Sequence, residues 1–258
     1  MTGVHHLETP FFQRQPLLPL PVQRFLRARL EAALHDPEAR AHLVWPTVLG
    51  APRLRELHPE GLPEPELLAH AARMLAALGV QDPAEAWAAA RALHPDTAAA
   101  AATGWRPHPA WGAFGPLVSL RSGWQLAALT PLPRDDRYGL AAGVSLFNHG
   151  LFHECHDALE PLWIEAAGDL KGGLQGLILM TAGHHHLQLQ NAAGLRAVWE
   201  EALGRLAPFE GRLPTPWGTV DFAEAARLTA ARLALAAGEP DWTALWRLER
   251  PVWTLEGA

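Results

Sequence analysis

Phe147-Asn148-His149-Gly150-Leu151-Phe152-His153-Glu154-Cys155-His156-Asp157-Ala158-Leu159-Glu160-Pro161-Leu162-Trp163 is the stretch on which the fold turns. Asn-His-Gly supplies residue types that tolerate positive φ, so the stretch predicts a turn between two helices. The helix after the turn is expected over 151–166, with Gly168 as its breaker. At about 100° per residue, Phe152, His156, Leu159 and Trp163 share one face. That wheel puts His156 inside the apolar stripe, with Glu160 four residues on and within reach of it. Glu154 falls opposite the stripe, near the helix start, where a carboxylate complements the dipole. Asp157 is expected to face solvent, and Cys155 to be a small buried hydrophobe. His149 and His153 read as surface residues. Pro161 removes one helical hydrogen bond and predicts a kink near Asp157.

Working outward, the preceding helix is expected over 135–149 and the following one over 170–190, ended by Asn191. On the latter, Gln175, Ile178, Leu179, Ala182, His186 and Leu189 share a face, so His186 joins its apolar stripe and His184 points away from it. This helix is apolar nearly all round and reads as the central, most buried one. Two more helices are expected over 193–206 and 222–237, with a Pro/Gly-rich link between them. Trp242, Trp246 and Trp253 then read as a tail packing back over the bundle.

Towards the N-terminus, Phe25, Leu26, Leu30 and Leu34 recur at helical spacing within 22–34. Asp36-Pro37-Glu38 resembles a helix start. A helix over 65–78 ends at Gly79. Asp82-Pro83-Ala84-Glu85 opens another with a cap and a glutamate three residues on, and this one stops before His94-Pro95. Residues 96–134 change character. Gly and Pro recur, three tryptophans (Trp105, Trp111, Trp124) appear, and Leu117–Leu120 reads as irregular chain. The expected architecture is all-α: an N-terminal helical segment (1–95), a Trp/Pro-rich connector (96–134) and a helical bundle (135–258).

Composition narrows the partners. The chain has 258 residues, a formal charge of −6, 49% hydrophobic and 19% charged residues. That balance fits a folded domain with a sizeable core. It carries no dense Lys/Arg run, and Lys171 is its one lysine, so nucleic acid is not an expected partner. No apolar run approaches the ~20 residues that span a bilayer. Residues 1–10 lack the pattern of a secretion signal. Cys155 alone allows no intrachain disulfide, and the expected location is cytoplasmic.

Two readings of the polar cluster stay open. In the first, His156, Glu160, Gln175 and His186 satisfy one another inside a non-catalytic binding or scaffold module, and a groove edged by Trp163 takes a peptide or small ligand. In the second, His156, Glu160 and His186 hold a divalent metal in a hydrolase, with Glu154 as general base. The order His153-Glu154-Cys155-His156 is not the zincin motif, whose histidines stand four apart.

The run Phe147-Asn148-x-Gly150-x-Phe152-x-Glu154-x-His156-Asp157-x-Leu159-Glu160-x-x-Trp163, followed by Gln175-Gly176-Leu177-Ile178, His186 and Asn191-x-x-Gly194, resembles the domain of unknown function 309 family over about 135–207. The resemblance implies a small all-helical bundle with no established activity. It marks Glu154, His156, Glu160, Trp163, Gln175, Gly176 and His186. Asp157 stands where glutamate is common in that family, and Pro161 departs from its usual polar residue. The two helices around the Asn-His-Gly turn are also similar to a tetratricopeptide-like hairpin, a likeness of shape that carries no function.

Overall fold

The computed structural model describes residues 20–58, 63–93, 115–132 and 134–257. The expectations on the first ten residues, on the helix stop at His94-Pro95 and on Trp105 and Trp111 lie outside them. The chain is mainly helical. The described residues divide into two compact units, within Leu17–Pro131 and within Leu132–Ala258.

The first unit begins with α1 (Leu20–His35), which buries Val22, Leu26, Leu30 and Ala33 at three- and four-residue intervals. The start read at Asp36-Pro37 opens a 3-10 turn, Pro37–Leu43, before α2 (Val44–Leu49) and α3 (Pro52–Leu57). α4 (Glu64–Ala77) ends at Gly79, whose φ of 79° lets Val80 N–H reach back to Leu75 O at 2.9 Å. α5 (Pro83–Leu93) starts where its cap predicts: Asp82 Oδ1 accepts from Ala84 and Glu85 N–H at 2.8 and 3.1 Å.

One segment departs from expectation. Residues read as irregular connector form α6 (Gly115–Leu129). Pro116 stands in the first turn, where a missing N–H removes no helical bond. Val118, Trp124, Leu126, Ala128 and Leu129 are buried along it. At its end the buried Arg40 guanidinium donates to Leu129 O at 2.6 Å, satisfying a carbonyl that the helix leaves open.

The second unit is built on α7 (Tyr138–Asn148), α8 (Phe152–Glu165), α9 (Gly168–Gln188), α10 (Ala192–Leu206), α11 (Ala223–Leu235) and α12 (Trp242–Arg247). The Asn-His-Gly turn forms as read. Gly150 has φ 70°, Leu151 N–H bonds Leu146 O and Gly150 N–H bonds Phe147 O, each at 2.9 Å. α9 is the central helix. Its glycines let neighbours come close: a Cβ on Gly176 would lie 2.6 Å from Leu206, and one on Gly183 would run into the Trp199 indole.

Asn191 does not end α9. Gln190, with φ 55°, makes the left-handed turn, and the Asn191 side chain accepts from Gly194 N–H at 3.1 Å to cap α10. The Pro/Gly-rich link is a β-hairpin, β1 (Arg212–Thr215) against β2 (Gly218–Asp221), joined by β3 (Thr254–Glu256) in an antiparallel sheet. The tryptophan tail packs back as expected. Trp253 stacks on Phe147 with centroids 3.8 Å apart. Asn148 clamps its backbone, donating to Trp253 O at 2.8 Å and accepting from Trp253 N–H at 2.9 Å. The buried Arg232 guanidinium donates to the carbonyls of Leu245, Leu248 and Glu249.

Candidate functional site

α8 buries most of its circumference over its first two turns. Phe152, Glu154, Cys155, Asp157, Ala158 and Leu159 are all buried. The line that stays open is His153, His156, Glu160 and Ile164, at helical spacing. Of the stripe read from the wheel, Phe152 and Leu159 are buried and Trp163 is half-buried, whereas His156 is not in the core. His156 stands on the accessible side, with 38% of its side chain exposed, while Asp157 keeps only 4%. Glu154, expected opposite the stripe, is 4% exposed. The wheel gave equal weight to Trp163, which lies in the last turn of α8 and is only half-buried.

Three of these side chains converge. One ligand atom each from His156, Asp157 and Glu160 lies within 4.8 Å of the others. The i, i+1 and i+4 spacing brings them together at one turn of the helix. His156 Nδ1 stands 3.5 Å from Asp157 Oδ1, and His153 Nδ1 stands 3.4 Å from Asp157 Oδ2. From α9, His185 sets its ring edge-on to His153, centroids 5.4 Å apart at 89°. Pro161 carries no N–H to bond the Asp157 carbonyl, yet α8 runs unbroken through it.

Among the described residues the group whose ligand atoms converge contains His156 and Glu160 of the expected set, with Asp157 and without His186. His186 lies in the last turn of α9, half-buried, with Asn191 Nδ2 3.2 Å from its Nδ1. Burial lowers its pKa below the ordinary histidine value. Gln175 is half-buried on α9. Trp163 packs beside Lys171, whose Nζ sits 4.9 Å from the ring centroid and donates to Ile164 O at 3.3 Å.

His184 is the histidine of the triplet that enters the core. It is fully buried among Phe147, Phe152 and Trp199, with ring centroids 4.9–5.4 Å away. Its Nδ1 donates to Met180 O at 2.8 Å. Burial, and then the charge of Arg232, lowers its pKa to about 3, against the opposing pull of the carbonyl bond. Cys155 is buried, as read, and burial pushes its thiol well above the ordinary range, which suits a packing role and not a nucleophile. Gln188, which the wheel passed over, is buried and donates to Gly150 O at 2.8 Å, fastening α9 to the turn that opens α8.

Residues 140–198 match the family model described as Domain of unknown function (DUF309). The match bears out the resemblance over a shorter stretch than 135–207, and it contains α8 and α9 whole. No curated protein and no solved structure matches the chain.

Proposed function

We propose that the unit within Leu132–Ala258 is a helical binding module whose ligand is a divalent transition metal, held by His156, Asp157 and Glu160. The observation that carries this reading is the convergence of three ligand atoms within 4.8 Å on a partly exposed face of α8. One imidazole and two carboxylates suit zinc, manganese or iron. A three-residue set leaves coordination positions for water or a small ligand, and the open side of α8, towards Trp163, is where that ligand reaches the ion. The acidic balance of the chain supports no nucleic-acid partner, and no described helix is long and apolar enough to cross a membrane. The single thiol supports a cytoplasmic setting.

The binding reading is favoured over hydrolysis by the position of Glu154. It is only 4% exposed and stands two residues before His156, about 160° from it round the helix, although it neighbours Asp157. A metal-dependent hydrolase on this site would need its general base from elsewhere.

Plasma mass spectrometry of native, untagged protein tests the proposal, with a second arm reconstituted in turn with Zn(II), Mn(II) and Fe(II). Near-stoichiometric metal is expected, and its loss in a His156→Ala/Glu160→Ala variant that keeps its helical circular dichroism. His186→Ala is expected to retain the metal. Metal-free protein after reconstitution, or equal loading of the double variant, overturns the proposal.

A further inference from the structure

Buried arginines in this chain are met in two different ways. The guanidiniums of Arg40 and Arg232 donate to backbone carbonyls at the ends of α6 and α12. Arg29, on α1 of the first unit, is 4% exposed and has no such set of acceptors. Its Nη1 donates to Phe25 O at 3.0 Å, one turn back on the same helix. In an α-helix that oxygen already accepts the N–H four residues on. The guanidinium carbon lies 3.2 Å from the Phe25 ring centroid, so the ring covers one face of the group.

A guanidinium carries five N–H donors. Among the described residues Arg29 makes one hydrogen bond and meets no carboxylate. Burial lowers its pKa to about 9, which still leaves the group charged at neutral pH. Buried charges are costly unless they are paired and hydrogen-bonded, and contact with one aromatic face offsets only part of that cost.

A second donor stands beside it. α1 packs against the 3-10 turn Pro37–Leu43, which carries His42. Burial, and then the charge of Arg29, lowers the His42 pKa below the ordinary histidine value, against the pull of Asp36. His42 is half-buried, so solvent reaches this pair from the histidine side.

We infer that Arg29 and His42 form an oxyanion site in the first unit, and that its ligand is a phosphate or carboxylate group. The planar fork of a guanidinium offers parallel N–H groups that match two oxygens of such a group. A neutral imidazole adds one further N–H. The ligand brings the negative charge that the buried guanidinium lacks. The site is separate from the metal position proposed on α8, and either can fail alone.

Isothermal titration calorimetry of the full chain tests it, with sodium phosphate and sodium acetate as probes and sodium chloride at equal ionic strength as the control. A chelator in every solution keeps any ion on α8 from contributing. One phosphate or acetate per chain is expected. Arg29→Met, which keeps an unbranched chain against Phe25, is expected to weaken binding at least about tenfold, and His42→Asn about fivefold. Heats equal to those of chloride for both probes overturn the site. Unchanged binding in either variant also overturns it, because the anion then binds elsewhere. His42→Asn, at a half-buried position, decides the matter if Arg29→Met fails to fold.

Discussion

His184 shows how much one buried ring can set. Its Nδ1 is committed to the Met180 carbonyl, and three aromatic side chains surround it. Unfolded, such a ring takes a proton near pH ~6.5; folded, it does so only near about 3. The folded value is the lower one, so its contribution to stability is complete above the unfolded value and is lost as the pH falls towards the folded one. Within that window the slope is about 1.4 kcal/mol per pH unit. Urea unfolding of the wild type is therefore expected to weaken more steeply between pH 6.5 and 4.5, roughly the upper half of that window, than unfolding of His184→Asn, which keeps a donor for Met180 O. Equal slopes would sink the assignment. The burial of this ring was not legible from a wheel. His184, His185 and His186 are consecutive, and only the close packing of Trp199 and Phe152 decides which enters the core. The chemistry of α8 was legible in residue type, since His156 and Glu160 were both singled out. Its face was not, because a helix buried round most of its circumference has no single apolar stripe.

At the scale of elements, the helix ends were readable wherever a side chain or a glycine makes the end. Asp82, Gly79 and Gly150 each act as their chemistry predicts. α6 was obscured by Gly115 and Pro116, which punctuate loops but also open helices. The three-stranded sheet was obscured because its strands are 3–4 residues long and one of them lies far along the chain. Two substitutions follow from the ends and crossings of α9. Gly183→Ala drives a methyl into the Trp199 indole, which is fully buried and cannot retreat. A loss of about 1–3 kcal/mol is expected in denaturant melts. Gln190→Gly relieves a left-handed turn held by a residue with a Cβ. A gain of about 0.5–1 kcal/mol is expected, net of the greater freedom of glycine in the unfolded chain. A lower melting temperature for Gln190→Gly would show that the Gln190 side chain contributes more than its backbone costs.

At the scale of the whole unit, the tail is a structural member. Asn148, Arg232 and the β2–β3 ladder all hold it, and Trp253 covers Phe147. Asn148→Ala removes two hydrogen bonds and leaves a partly buried backbone N–H and C=O without them. A loss of about 2–3 kcal/mol is expected, with hydrogen exchange at Trp253 rising well before that in α9. Exchange that rises equally in both would mean that the tail does not open separately from the helices.

The ligand set proposed for the metal comes from a single turn of one helix. Such a set is a local property of the chain: the residues are neighbours in sequence before any tertiary contact exists. An ion that binds the unfolded chain nearly as well as the folded one barely shifts the folding equilibrium. Metal held as proposed by His156, Asp157 and Glu160 is therefore expected to change the melting temperature little. Thermal-shift screening would pass over such a site.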